Sequence, residues 1–528
     1  MPGQTVSTGK KTVMVNSNDS SPDFISLQRS KGDSIEPGTS KSIKAATLIL
    51  GACSIAVVLV GVVRYIYFAS FWLDEAFVAM SLRNPSIDSI FGKLRHGQQF
   101  PRFYLSAIAT LREIFGYEVG AIRFLPLVSF ITGTILWVIL LAKRAGGNVA
   151  LGLLAGGLLI GSGFWLDQAT QLKPYTLDVT LALVPFLLGD SFFDQTLAEG
   201  KHKRALVLLA IPCLLSYVYP LPLGARVLGW YLNYGRRNRW RISVASVLTL
   251  GVTVTIALTV IVFTDHRFNF LDRPGMLAYW KGCILRFQLQ EAAGDSLRLI
   301  GDFLWGWHTR IPRVTTGIVP LQILGLYWTI KKWLRSDSSD DNSWGSRSLG
   351  SIVLLIGAIA MSAIVSYPIC AGRLTLFAQV HLQLLTLQGA LFLLELQGRY
   401  KLTRILLYSF IAILLYHNGR DYKARAFTEP KENLMPLVAM IKPEIADSVW
   451  VHSCSRAQVQ SLPGGLPATE VITGTRGKLP ERGKKVWIVW TFLGSEACQT
   501  ELEELQKQSL SWQVISEGTG RGLVLAQF

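Results

Sequence analysis

The chain has 528 residues, 50% of them hydrophobic and 16% charged, with 52 Lys and Arg against 35 Asp and Glu for a formal charge of +17. So apolar a composition, with 15 Trp, excludes a disordered chain and argues against a soluble nucleic-acid binder despite the basic balance, and six Cys are too few for a disulfide scaffold. What remains is a polytopic membrane protein whose basic residues sit in its loops, sorted by side of the membrane.

Residues 1–44 form a polar opening rich in Ser, Gly, Asp and Lys, without apolar periodicity, and are expected to be a disordered cytoplasmic tail. The first apolar run, 45–68, follows Lys41 and Lys44 and exceeds the roughly 20 helical residues needed to cross a hydrocarbon core. Further runs lie at 120–142, 148–164, 175–193, 205–218, 221–234, 243–263, 314–330, 349–367, 374–396 and 403–417, giving about eleven expected transmembrane helices. The short run pair over 205–234 contains Pro212, Pro220 and Pro222 and is either two spans or a kinked, re-entrant hairpin.

With the N-terminus inside, the cytoplasmic connections carry Lys143 and Arg144; Lys201, Lys203 and Arg204; Arg236, Arg237, Arg239 and Arg241; Lys331, Lys332, Arg335 and Arg347; and Arg399, Lys401 and Arg404. The short connections on the other side hold only Lys173 and Arg373. That asymmetry is what orientation by positive residues produces, and shifting one span destroys it. Three longer pieces then face outward: loops 69–119 and 264–313, and a region from 419 to 528. In the first loop, Phe100–Phe115 reads as an interfacial helix. In the last region, strand-like runs at Val449–Val451, Val486–Val489 and Leu523–Ala526 alternate with a helix over Glu496–Leu510, and Gly518–Gly522 reads as a turn; this is a small extracytoplasmic α/β domain.

Asp74 and Glu75 are adjacent carboxylates just past the first span, where an acid serves as base or metal ligand or simply favours a helix N-terminus. In the connection Gln168–Asp178, Lys173 is placed to attract a lipid phosphate and Tyr175 to anchor the helix entry, the plain alternative being a snorkelling lysine in an aromatic belt. Asp178 lies one turn into an apolar run and is expected to face the bundle interior. Tyr367 to Phe377 forms a tight Pro-Gly turn with Arg373, whose guanidinium can pair with a phosphate. His308 and Arg310 in the second loop are weaker candidates. There is no GxxxxGK[ST] loop, no HExxH and no paired CxxC, so triphosphate hydrolysis and zinc chemistry lack support. Cys454 and Cys498 are either bridged or reduced and buried.

Trp72-Leu73-Asp74-Glu75, Gln99-Phe100-Pro101-Arg102-Phe103-Tyr104, Arg123-Phe124-Leu125-Pro126, Gln171-Leu172-Lys173-Pro174-Tyr175, and Tyr367-Pro368 with Gly372-Arg373-Leu374 together resemble the GT-C superfamily of membrane glycosyltransferases. The similarity is to glycosyltransferase family 39, related to protein mannosyltransferases and aminoarabinose transferases, and it spans residues 45–420. It implies transfer of a sugar from a polyprenyl-phosphate donor to a glycan, lipid or protein acceptor on the outer face of a bacterial-type plasma membrane. Asp74 would then be the base, Glu75 would orient the acceptor or bind a divalent ion, and Lys173, Arg373 and Tyr175 would hold the donor phosphate. Gln99, Arg102, Gln171, Asp178 and Tyr367 accompany them. No metal or cofactor is assigned, although a divalent ion is compatible with the acids. The sequence departs from the family where Gln171 and Lys173 replace the common Glu and Arg, where Gln98-Gln99-Phe100-Pro101 lacks a frequent His or second Pro, and where Val380 replaces a frequent Pro. Two other readings are a transporter or flippase of lipid-linked sugars and a non-catalytic membrane scaffold.

Overall fold

The computed structural model describes residues 37–67, 71, 73–92, 94, 98, 100–238, 242–264, 281–285, 292–305, 312–335, 343–365, 367–369, 373–397, 401–427, 434–442, 444–446, 448–452, 455–462, 466, 471–473, 483–491, 496–518 and 521–528. Most of the expected tail, residues 1–36, lies outside these. Helix α1 (Pro37–Tyr67) starts before the apolar run, and its membrane-compatible part is Lys44–Tyr67. The first loop holds α2 (Leu73–Leu82), α3 (Ile87–Phe91) and α4 (Arg102–Phe115). Then come α5 (Val119–Ala145), α6 (Val149–Ile160), α7 (Gly163–Gln168), α8 (Tyr175–Leu187), α9 (Asp190–Phe193), α10 (Lys203–Ala210), α11 (Pro220–Asn238) and α12 (Val244–Thr264). After the second loop, with α13 (Ala292–Trp305), follow α14 (Pro312–Arg335), α15 (Ser343–Val365), α16 (Leu376–Gln397) and α17 (Lys401–Phe427).

Apart from 205–218, the expected apolar runs fall mainly on helix, and the architecture is the expected one, an α-helical polytopic membrane protein with a small C-terminal α/β domain. Among the described residues, five helices are long and apolar enough to cross a membrane: Lys44–Tyr67, Val119–Ala145, Val244–Thr264, Trp344–Ile364 and Leu376–Leu396. A sixth span forms if α8 and the Asp190–Ala198 segment count as one helix bent by 80°. The 205–218 run is not a continuous helix. Eight residues of α10 pass into a 3₁₀ turn, Ile211–Leu214, around Pro212, which has no N–H to continue the ladder. Outward faces of α1 (Leu48, Ile55, Leu59, Ile66) and α12 (Val247, Val252, Ile256, Phe263) are exposed and apolar, as lipid contact requires.

Contacts between helix ends mark two ends of the bundle. Tyr65 Oη at the end of α1 donates to Gly120 O at the start of α5 (2.5 Å), and Arg425 near the end of α17 pairs with Asp167 of α7 (2.7 Å). These mark one end of the bundle, shared with Asp74. At the opposite end Arg144 and Arg347, both from connections expected to be cytoplasmic, flank the Trp344 ring at 5.3 and 5.0 Å. There Arg226 also pairs with Asp190 at 2.6 Å, close to where α8 bends into α9.

Helix α16 is the buried centre. It presents Gln379, His381, Gln383, Thr386 and Gln388 to its neighbours, with Gln383 accepting from Trp137 Nε1 of α5 (3.1 Å) and donating to Ser162 Oγ (3.0 Å). Side-chain hydrogen bonds of this kind hold helices together where lipid offers no hydrophobic drive. Close approach of α14 and α16 depends on two glycines facing each other's backbone. A Cβ on Gly325 would run into Leu385 O, and one on Gly389 into Leu321 O. Gly389→Ala should therefore force the helices apart and lower stability by about 1–3 kcal/mol, read as a fall in the thermal unfolding midpoint of the purified protein; an unchanged midpoint would show that the crossing tolerates a methyl group.

The C-terminal domain contains α18 (Met435–Val438), β1 (Ser448–Val451), α19 (Arg456–Gln460), β2 (Val471–Thr473), β3 (Lys485–Thr491), α20 (Glu496–Gln508), β4 (Ser511–Gly518) and β5 (Arg521–Gln527). The sheet order is β2-β1-β3-β5-β4; β1 is parallel to β2 and β3, while β3–β5 and β5–β4 are antiparallel. All three expected strands and the helix are present, and the expected Gly518–Gly522 turn includes residues outside the described ones. β2 is short, and β4 carries a bulge between Val514 and Ser516, which interrupts the alternation that marks a strand in sequence. Cys454 and the Cys498 side chain lie outside the described residues.

Candidate functional site

Helix α2 begins with Asp74 and Glu75 in its first turn, where negative charge complements the unpaired N–H groups. Their surroundings differ. Asp74 is half-buried, whereas Glu75 is fully buried. Both Glu75 oxygens accept from the Arg123 guanidinium of α5, Nε to Oε1 at 3.1 Å and Nη2 to Oε2 at 2.6 Å, and Oε1 also accepts from the backbone N–H of Leu172. The guanidinium lies 5.3 Å from the Phe71 ring centroid. A two-pronged pair of this geometry, backed by a third hydrogen bond, is the arrangement that compensates two buried charges. Glu75 thus occupies a different setting from the acceptor- or metal-facing one expected of it.

Because Leu172 is held there, its neighbour Lys173 is fixed close to α2. Lys173 is buried; its Nζ donates to Gln98 Oε1 at 2.8 Å and lies 5.4 Å from the Phe100 ring centroid. The Tyr104 hydroxyl of α4 donates to Lys173 O at 3.1 Å. Burial, reinforced by the negative charge of Asp178 and Glu75, pushes the Tyr104 phenol well above its ordinary pKa, so it remains a donor. Arg102 is buried and donates to Ile90 O at 2.9 Å, joining α3 to α4. Gln171 is half-buried, and its Oε1 has no hydrogen-bond partner among the described residues. Gln99 lies outside the described residues.

A second wall comes from α8 and the α15–α16 connection. Asp178 is buried and its Oδ1 accepts from Ser216 Oγ at 2.5 Å. Ser216 reaches it from the connection that follows the break at Pro212, a partner that sequence periodicity could not supply. The Tyr367 hydroxyl donates to Leu374 O at 2.6 Å, closing the turn that precedes α16. Burial raises the Tyr367 phenol above its ordinary range, with Asp178 and Tyr175 adding to the effect. Arg373 opens a 3₁₀ turn, Arg373–Thr375, directly before α16, with its side chain outside the described residues. His308 and Arg310 also lie outside them. The structure therefore gathers Asp74, Glu75, Lys173, Tyr175, Asp178 and Tyr367 at one end of the bundle.

That end holds more cations than the sequence suggested. Arg64 and Arg425 both pair with Asp167, at 3.5 and 2.7 Å, and Arg425 also pairs with Asp421 at 2.9 Å. Arg64, Arg123 and Arg425 sit at helix ends, outside the short connections in which only Lys173 and Arg373 are expected. The first loop is also tied to the C-terminal domain. Arg83 Nη1 donates to Gln460 O at 3.0 Å, and Tyr117 Oη lies 3.1 Å from both Ala79 O and Ser461 O. Burial pushes the Tyr117 phenol up to about 12. Among the described residues no group of three or more His, Cys, Asp or Glu is arranged to hold a metal ion.

No family model matches the chain, and no curated protein matches it. Among solved structures it is similar to ArnT from Cupriavidus metallidurans in the apo state, at 13% identity and a TM-score of 0.35. It is similar also to ArnT from the same organism bound to undecaprenyl phosphate, at 13% identity and a TM-score of 0.36. Each match covers 91% of this chain and 97% of the other.

Proposed function

We propose that the chain is an inverting glycosyltransferase that moves a sugar from a polyprenyl-phosphate carrier to an acceptor hydroxyl at the outer face of a bacterial-type plasma membrane, with its N-terminus cytoplasmic and its C-terminal domain outside. The observation that carries this reading is the Glu75–Leu172 hydrogen bond. It joins the residue after Asp74 to the residue before Lys173, so the elements that carry the carboxylate and the ammonium group are tied together.

In the proposed reaction the acceptor oxygen attacks the anomeric carbon, its proton passes to Asp74, and the bond from that carbon to the phosphate oxygen breaks on the opposite side. The polyprenyl phosphate leaves with the bonding pair. Lys173, Arg373 and Tyr175 receive the phosphate, and an ammonium group held in a buried setting stabilises that charge more than one in water. Asp178, fixed by Ser216, is placed to accept from a hydroxyl of the donor sugar. Glu75 acts through position: its oxygens are engaged by Arg123 and Leu172, and a divalent ion there would have to displace them.

Lys173→Gln tests the phosphate site. The amide keeps a partner for Gln98 but loses the charge, and a charge-assisted bond contributes about 1.5–3 kcal/mol. The donor KM should rise roughly 10- to 100-fold, and native mass spectrometry should show less copurified polyprenyl phosphate than in the parent. A parent protein that carries no such lipid and shows equal donor KM with either residue would reject the assignment.

A further inference from the structure

Two segments that the sequence places outward meet at the end of the bundle that carries the candidate site. The short turn Lys281–Cys283 belongs to the second loop, and the Ile284 and Leu285 that follow it are buried. Leu285 packs in the same core cluster as Ile369, which lies two residues after Tyr367 in the connection between α15 and α16. Two hydrogen bonds join the segments: Ile369 N–H donates to Cys283 O at 2.8 Å, and Leu285 N–H donates to Ser362 Oγ of α15 at 3.0 Å.

Cys283 is half-buried and disulfide-bonded. Of the six cysteines in the chain, Cys53 and Cys213 are free, and Cys454 and Cys498 belong to the C-terminal domain. Cys370 follows Ile369 directly in the sequence and lies outside the described residues. One peptide step of about 3.8 Å from a residue hydrogen-bonded to Cys283 keeps it within reach of the roughly 4.4–6.8 Å that separates bridged Cα atoms. In the sequence it stands midway between Tyr367, whose hydroxyl donates to Leu374 O at 2.6 Å, and Arg373, which opens the 3₁₀ turn before α16.

We propose that Cys283 and Cys370 form a cystine clamp that holds the second loop on the Arg373 turn and so positions Arg373 for the phosphate of the polyprenyl-phosphate donor. The bond forms between the two sulfurs; the two thiols lose two protons and two electrons by exchange with a protein disulfide, which leaves as a dithiol. Oxidants of that class act outside the reducing cytosol, in agreement with the outward placement of both segments. Gly372 gives the backbone beside Arg373 wide conformational freedom, and a covalent tie two residues earlier restricts it. Restriction before the donor arrives removes an ordering cost from binding. Both cysteines are positioning residues, acting on the donor through Arg373. The donor role rests on the transferase reading above; the bridge does not.

The pairing is read by mass spectrometry of the purified full-length protein, alkylated while unfolded and digested without reductant. The peptides that contain Cys283 and Cys370 should appear joined, and Cys53 and Cys213 should carry the alkyl label. A labelled Cys283, or its linkage to any other cysteine, would overturn the proposal. The role is read from kinetics. Cys283→Ser, Cys370→Ser and the double variant should each raise the donor KM about tenfold with kcat nearly unchanged. A water-soluble phosphine should bring the parent to the same KM and leave the double variant as it was. A parent KM insensitive to reduction of the bridge, a double variant that matches the parent, or a fall in kcat at unaltered KM would each reject the clamp's part in donor binding. A parent that binds no polyprenyl phosphate and transfers no sugar would reject the transferase reading, and the donor role with it, while the peptide map still decides the bridge.

Discussion

Asp74→Asn is expected to fold and insert like the parent and to lose sugar transfer from a polyprenyl-phosphate donor by at least about 100-fold in kcat, the lower end of what general-base catalysis supplies. The substitution is isosteric and leaves the Glu75 bonds to Arg123 and Leu172 in place. Loss of one charge at a helix N-terminus costs about 0.3–1 kcal/mol, so a small shift in the thermal midpoint is the expected physical readout. An asparagine can still orient a hydroxyl but cannot take its proton at neutral pH. Donor KM should therefore change little while kcat falls, the pattern of an interaction made in the transition state. A flippase carrying the same substitution would continue to translocate donor, and a scaffold would show no transfer to lose. Full turnover by the purified variant would reject Asp74 as the base.

The membrane fold was legible in the sequence because its cause is local. Apolar runs and the side bias of Lys and Arg are properties of short segments, and they locate α1, α5, α6, α8, α10–α12 and α14–α17 without knowledge of their partners. What escaped were properties of pairs. Glu75 and Arg123 stand 48 positions apart, and Arg425 and Asp167 stand 258 apart, so no window of sequence shows that the charges cancel. The same holds for Ser216, whose meeting with Asp178 depends on the helix break at Pro212. For the site, the motifs placed Asp74, Lys173, Asp178 and Tyr367 at one end of the bundle, but the difference between the adjacent acids Asp74 and Glu75 lies wholly in their burial.

That difference between neighbouring acids yields the largest expected effect on stability. Arg123→Met should destabilise the protein by about 3–5 kcal/mol, because it leaves the fully buried Glu75 carboxylate without its counter-ion. Glu75→Gln should cost a similar amount by leaving the Arg123 guanidinium buried and uncompensated. Combining Glu75→Gln with Arg123→Met removes both charges at once, keeps a side-chain oxygen to accept from Leu172 N–H, and fills the arginine site with an apolar chain. Replacement of a whole buried pair is often neutral, so the double variant should recover most of the lost stability and show a coupling energy of about 3 kcal/mol or more in a double-mutant cycle by chemical denaturation. If Glu75 acts by holding the Lys173 turn beside Asp74, the double variant should also regain transfer to within about tenfold of the parent, since positioning errors near 1 Å already cost about 100-fold. A double variant as stable as the parent yet inactive would instead place Glu75 in the chemistry itself, and a cycle with no coupling would show that the pair does not hold α2 to α5.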